Sequence, residues 1–212
     1  MRQQGARAIG IDYNAEYCGI ARLRGLRYGL AASVITGQGE ALPLKSASIN
    51  TILSYEVIEH VFDQSKFLEE LCRVISPNGR VFITVPNRWA PYGGHYHPWG
   101  ISYLPRPVAQ WLIERFTKRG KGDDVAAGLQ KLTEMPYFSR WRFFSMCRRV
   151  GFVPYDISRS NLLHGRGSRR FGRAMWFFHT LKRSGLLRPM YAVWNHTVTK
   201  RWHFMLTQSS ST

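Results

Sequence analysis

Acidic residues are scarce in this sequence, and in its last third they almost vanish. Residues 139–212 hold 14 Lys and Arg against one acid, Asp156, so a +13 segment sits within a net charge of +17. Cysteine is scarce too. Cys18, Cys72 and Cys147 are odd in number and include no CxxC pair, which excludes a disulfide framework and points to a reducing compartment. Long hydrophobic runs are missing. The greasiest stretch, Ala174 to Trp194, is cut by Lys182, Arg183 and Arg188, too soon for a membrane span. The opening Met1 to Arg7 has no apolar stretch of the signal-peptide kind, so a cytoplasmic location is expected, with contact at a membrane surface as an extension of it. Internal repeats are absent, and the low-complexity content is a short Ser-Ser-Ser-Thr tail.

What remains is ample for folding. The 212 residues are 44% hydrophobic and 14% aromatic, enough for one core at roughly 100–200 residues per domain. Arg7–Ile11 reads as a short strand ending at Asp12, and Asn14 can cap a helix through Arg24. Ser33–Thr36 and Ile49–Ser54 are further strands. Asp63 can cap a helix in which Leu68, Leu71, Cys72 and Ile75 share one face, with Glu69, Glu70 and Arg73 on the other. Ser76-Pro77-Asn78-Gly79 reads as a stop and turn before the β-branched run Arg80–Val85. This alternation predicts an α/β fold with right-handed crossovers and a parallel sheet.

The rhythm then breaks. Pro86, Pro91, Pro98, Pro105 and Pro107 with Gly93-Gly94 mark residues 86–138 as an irregular excursion, carrying a helix from about Val108 to Phe116. Phe143, Met146, Cys147 and Val150 form a helical stripe that Gly151 ends before a strand at Phe152–Ile157. Alternation predicts a last strand at Trp202–Thr207. Between these strands, residues 159–200 make a basic aromatic insert, with Phe171, Ala174, Met175 and Phe178 on one stripe and Leu187, Met190, Tyr191 and Trp194 on another.

Open parallel sheets bind ligands at the carboxyl ends of their strands. Asp12 stands at the first such end, where a carboxylate can accept two ribose hydroxyls. Gly39-Glu40-Ala41 follows the second strand, where a carboxylate and a backbone N–H could read a purine edge. Ser54-Tyr55-Glu56 follows the third. In sequence, Gly10-Ile11-Asp12, Gly39-Glu40-Ala41-Leu42-Pro43-Leu44, Ser54-Tyr55-Glu56-Val57-Ile58-Glu59-His60-Val61 and Leu71-Cys72-Arg73-Val74-Ile75-Ser76-Pro77-Asn78-Gly79-Arg80-Val81 resemble a class I S-adenosylmethionine-dependent methyltransferase of the type 11 group. The resemblance is close over residues 5–88 and looser through Gly151-Phe152-Val153.

It implies a Rossmann-like sheet, mostly parallel with the last strand antiparallel, and S-adenosyl-L-methionine as cofactor. It places Asp12 on the ribose with Tyr13 beside it, Glu40 and Ala41 at the adenine, and Ser54 and Tyr55 near the methionyl end. Glu59 and His60 match a pair for which a structural role at the helix start is as good an expectation as a catalytic one. The family opens with a strand and a glycine-rich turn. Few residues precede Arg7, so the chain is expected to be N-terminally truncated relative to that pattern, with unpaired strand edges as the consequence.

The expected organisation is one domain over 1–212, with a substrate lid at 86–138 and the basic insert at 159–200. Methyl transfer from a sulfonium needs chiefly an in-line acceptor, and an oxygen or nitrogen acceptor can also need a base. His95 and His97 are the candidate bases; the plainer account packs them among Tyr92, Tyr96 and Trp99. No metal set is expected. Two partners suit the insert: an anionic membrane surface carrying a lipid-linked or amphiphilic substrate, or a nucleic-acid backbone with Trp176, Phe177 or Trp194 stacking on bases. The first is preferred because the apolar stripes are large and helical. The rival reading is a non-catalytic methyltransferase-like module that binds nucleic acid, membrane or a partner through its basic last third.

Overall fold

A computed structural model describes residues 5–30, 32–91, 103–116, 138–157 and 201–209, together with Gly100, Pro136, Gly185, Pro189, Met190, Ala192, Val193 and Asn195. The elements run β1 (Ile9–Asp12), α1 (Ala15–Arg27), β2 (Ser33–Thr36), β3 (Ile49–Ser54), α2 (Gln64–Val74), β4 (Ile75–Pro86), α3 (Arg106–Phe116), α4 (Arg140–Arg149), β5 (Phe152–Asp156) and β6 (Arg201–Gln208). The order and type match the reading of the sequence, with shifted ends. The first strand starts at Ile9 rather than Arg7, the first helix continues past Arg24 to Arg27, and β6 gains a residue at each end.

Capping accounts for the helix starts. The Asn14 side chain accepts from the amides of Glu16 and Tyr17, Asp63 from those of Ser65 and Lys66, and Ser139 from that of Arg142. Each satisfies amide groups that the first turn leaves without a partner. The expected turn at Ser76–Gly79 is corrected: helix α2 ends at Val74 and β4 begins at once. The four-residue segment is absorbed as an irregularity, because Ile49 pairs with Ile75 while Thr51 pairs with Arg80. Pro77 has no amide to offer a ladder, so this stretch is skipped rather than paired.

The strands form two sheets. Strand β1 pairs in parallel with β2, and a four-stranded sheet has the order β3-β4-β6-β5. The β3–β4 pair is parallel, and β6 runs antiparallel to both β4 and β5. Among the described residues, β1 and β3 each have a strand partner on one side only. Ile9 and Leu53 are correspondingly 50% and 43% exposed.

The core lies on one face of the four-stranded sheet. Register explains it: Val81 stands opposite Leu206, Ile83 opposite Phe204 and Val85 opposite Trp202, all buried. The alternate rungs, Phe82 with Met205 and Thr84 with His203, point to the other face. Helices α2 and α4 cover the core face with Phe67, Leu68, Leu71, Phe143, Met146 and Cys147. Burial pushes the Cys147 thiol up to about 12, so it is a packing group and no nucleophile. Arg140 of α4 closes the far edge through Asp156 at 2.7 Å, and Asn195 donates to the same carboxylate oxygen at 3.0 Å.

Candidate functional site

The carboxyl ends of β1, β2 and β3 carry the residues of interest. Asp12 ends β1 half-buried, and its Oδ1 accepts the Asn14 amide at 2.8 Å. No other hydrogen bond to this carboxylate is seen among the described residues. The Asp12 carbonyl accepts the Gly37 amide at 3.0 Å, and the Cys18 thiol lies 3.6 Å from the same carbonyl and 3.5 Å from that of Ile35. These contacts tie the tips of β1 and β2 to the start of α1. Tyr13 is 71% exposed beside them.

The loop after β2 is strapped along α2 from end to end. Gly39 fits because a Cβ there would come 2.8 Å from the Phe67 ring. Next, Glu40 reaches the amides ahead of the helix: its Oε1 accepts from Phe62 at 2.6 Å and from Asp63 at 3.3 Å. The Ala41 amide turns back to the Gln38 carbonyl at 3.2 Å. The Ala41 N–H is already engaged within the loop, and one Glu40 oxygen serves the backbone of α2's approach instead of a free edge. A carboxylate facing orphan amides at a helix start is drawn to them by charge and geometry alike.

Further along, Arg73 uses all five of its donors. Its Nε and Nη2 hold Glu70 at 2.7 and 2.8 Å. Its Nη1 reaches the Leu44 carbonyl at 2.8 Å and Ser46 Oγ at 3.3 Å, and its Nη2 reaches the Leu42 carbonyl at 2.9 Å. Glu70 Oε2 in turn accepts the Leu42 amide at 2.8 Å. The Ala47 and Ser48 amides then close onto the carbonyls of Arg73 and Val74. The sequence placed Glu70 and Arg73 on a solvent face; their i, i+3 spacing was the available signal of a pair.

The hydrogen bond from Arg73 holds the Glu70 carboxyl below its ordinary 4.5, outweighing burial, with the Leu42 amide and the Arg73 charge adding to it. A lowered folded-state pKa gives stability that is present above 4.5 and lost as pH falls through the folded value. The stability difference between wild type and Glu70→Gln should therefore be full at neutral pH and shrink as the pH falls below 4.5, as urea unfolding on either side of that value would show. With Arg73 36% exposed, solvent screening keeps the difference small.

At the third tip, Ser54 is 4% exposed, and its buried Oγ has no hydrogen-bond partner among the described residues. Tyr55 is 55% exposed. Glu56 adopts a left-handed φ of 57°, unusual for a residue with a side chain. Two contacts hold it: its amide donates to Thr84 Oγ1 at 2.7 Å, and its carboxylate meets Arg201 at 2.6 Å. Neither Thr84 nor Arg201 stood out in the sequence, since only the β4–β6 register brings them to this tip. Glu59 is buried and His60 half-buried. His95 and His97, with much of the 86–138 excursion and most of the 159–200 insert, lie outside the described residues. No group of three potential metal ligands occurs among the described residues.

Residues 1–83 match the family described as a methyltransferase domain. A probable S-adenosylmethionine-dependent methyltransferase of Mycolicibacterium smegmatis is 35% identical over 82 residues, 39% of this chain and 30% of that protein. A ubiquinone biosynthesis O-methyltransferase of Chelativorans is 33% identical over 117 residues, 52% of this chain and 45% of the relative. The chain thus spans less than half the length of these relatives. The crystal structure of a putative sarcosine dimethylglycine methyltransferase from Galdieria sulphuraria superposes with a TM-score of 0.54 at 17% identity, covering 98% of this chain and 72% of that one. At that identity the likeness establishes the fold, a Rossmann-like α/β architecture.

Proposed function

We propose, from the match of residues 1–83 to the methyltransferase-domain family, that the protein is a class I S-adenosylmethionine-dependent methyltransferase that transfers a methyl group from S-adenosylmethionine to an oxygen or nitrogen acceptor on a small or amphiphilic substrate. One observation carries the reading: Asp12 and the Glu40–Ala41 loop follow the carboxyl ends of β1 and β2 in the small sheet and Ser54 ends β3 in the other, the kind of strand end where parallel sheets take nucleotides. The residues fit the cofactor in two respects. Among the described residues the Asp12 carboxylate has acceptor capacity beyond its bond to Asn14, and the buried Ser54 Oγ has no hydrogen-bond partner.

The cofactor, when bound, supplies an already activated methyl on a sulfonium. The chain's own part is to bind and orient. Asp12 would hold the ribose hydroxyls, with Tyr13 beside it. Glu40 and Ala41 would border the base, with one Glu40 oxygen also fixing the loop. Ser54 and Tyr55 would flank the methionyl end. The braced turn at Glu56 keeps that tip in place through Thr84 and Arg201. His95 or His97, in the segment that leaves β4 at the same edge, would take a proton from the acceptor.

Calorimetry on the full chain with S-adenosylmethionine and S-adenosylhomocysteine tests this. Saturable binding at one site is expected. No binding of either favours the rival reading, a non-catalytic module, which the division of the strands into two sheets supports. The charge of residues 139–212 extends the proposal to an anionic membrane surface, approached by a protein whose described helices include none long and apolar enough to cross. Co-pelleting with anionic liposomes should fall when Arg169, Arg170 and Arg173 are replaced by Glu. Unchanged partitioning removes lipid from the account.

A further inference from the structure

We infer that the outward face of α4, where Trp141 stands among Arg142, Arg148 and Arg149, forms part of the surface that docks on anionic lipid; this rests on the membrane contact proposed above. At about 3.6 residues per turn, positions 141, 142, 145, 148 and 149 share a stripe about 120° wide. Phe143, Met146 and Cys147 lie on the opposite side, buried in the core, so packing fixes the stripe outward. Trp141 is 81% exposed, and the three arginines are exposed with it. The helix contains no acid. Asp156, the one acid of residues 139–212, is held inward by Arg140 and Asn195 and neutralises nothing on this stripe. Among the described residues Arg142, Arg148 and Arg149 have no ion-pair partner.

The charge does not serve the helix alone. Arg148 and Arg149 complement the last turn, but Arg142 stands in the first, where the helix field disfavours a cation. An anion outside the helix relieves that cost. Shape and composition select lipid over nucleic acid. A single strand is held in a groove, with several rings stacking on successive bases, whereas here one indole stands on the convex side of a helix. A flat anionic surface meets such a ridge directly. Arginines spread over about 10 Å of helix axis can each reach a headgroup phosphate. An indole fits at headgroup level, its ring in apolar material and its N–H toward water.

The test titrates the full chain with vesicles of phosphatidylglycerol and phosphatidylcholine. The combined variant Arg142→Gln, Arg148→Gln, Arg149→Gln should bind about tenfold or more weakly than wild type. A control of equal charge loss on exposed positions elsewhere, Arg7→Gln, Arg24→Gln, Arg27→Gln, should stay within about threefold. Brominated acyl chains should quench the wild-type fluorescence, and Trp141→Phe should lose that quenching. Because it leaves the arginines in place, this variant also tests the face if the combined α4 variant does not fold. Binding that survives the α4 changes, or falls equally in the control, overturns this inference while the membrane contact stands. Absence of wild-type binding to the anionic vesicles overturns the membrane contact, and the inference with it. Binding of a thymidine oligonucleotide that is lost in the α4 variant, without vesicle binding, assigns the face to nucleic acid and overturns it too.

Discussion

Replacing Asp12 by alanine is expected to weaken S-adenosylhomocysteine binding by roughly one to two orders of magnitude, while the protein remains folded. Hydrogen bonds to a charged group contribute about 1.5–3 kcal/mol, and each 1.4 kcal/mol is about tenfold in affinity. The carboxylate has a second duty that must be separated from the first: its Oδ1 holds the Asn14 amide at 2.8 Å, and Asn14 caps α1. Alanine removes both. Asp12→Asn separates them, since an amide oxygen can still accept from Asn14 but lacks the charge. If binding falls in both variants and the melting temperature falls in alanine alone, the carboxylate acts on the ligand. If affinity follows the melting temperature in both, Asp12 is only a turn residue, and the placement of the ribose at this tip is wrong. Calorimetry with thermal unfolding on the same samples decides it.

The fold was largely legible because its signals are local. Asn14, Asp63 and Ser139 cap helices by side-chain chemistry that depends on the next three residues. The alternation in Trp202–Thr207 becomes a strand with its inward side buried. The misses share a different cause. Ser76–Gly79 carries every mark of a turn, yet the pairing of Ile49 with Ile75 carries it into β4 as an irregularity, a long-range contact overriding local preference. Glu40 illustrates the same limit at the site. Its position after a strand suggested a ligand, whereas the amides of Phe62 and Asp63, over twenty residues away, claim it. Arg73 looked like one more charge on a solvated face until residues 42–46 were brought beside it. The tip of β3 is braced by Thr84 and Arg201, from two other strands, which no spacing in the sequence links. Local chemistry fixed which residues reach the carboxyl edge; tertiary partners decided which of them are left to meet a ligand.

The largest loss of stability is expected at Phe204. It is fully buried on the core side of β6, the strand that pairs with both β4 and β5 and so holds the four-stranded sheet together. Its ring stacks on Phe143 at 5.0 Å and meets Phe144 edge-on at 5.3 Å, and the Arg140 guanidinium lies 5.5 Å from its centre. Phe204→Ala removes a buried aromatic and leaves a cavity, a change that costs about 3–5 kcal/mol. Set against a total of about 5–15 kcal/mol for a typical domain, that is enough to unfold a marginal one. In a domain of this size the melting temperature should drop by roughly 6–20 °C, and Phe204→Leu should lose markedly less because most of the volume is kept. The contrast with Asp12 is in kind. Strands β1 and β2 form their own small sheet and reach the rest through the loop fastened to α2, whose Phe67, Leu68 and Leu71 belong to the same core as Phe204. Collapse of that core should therefore abolish ligand binding together with the unfolding transition, whereas loss of the carboxylate should weaken binding in a protein that still folds. A Phe204→Ala protein that keeps its melting temperature within a few degrees would mean that the sheet drawn from β3, β4, β6 and β5 is not the body on which the nucleotide edge is built.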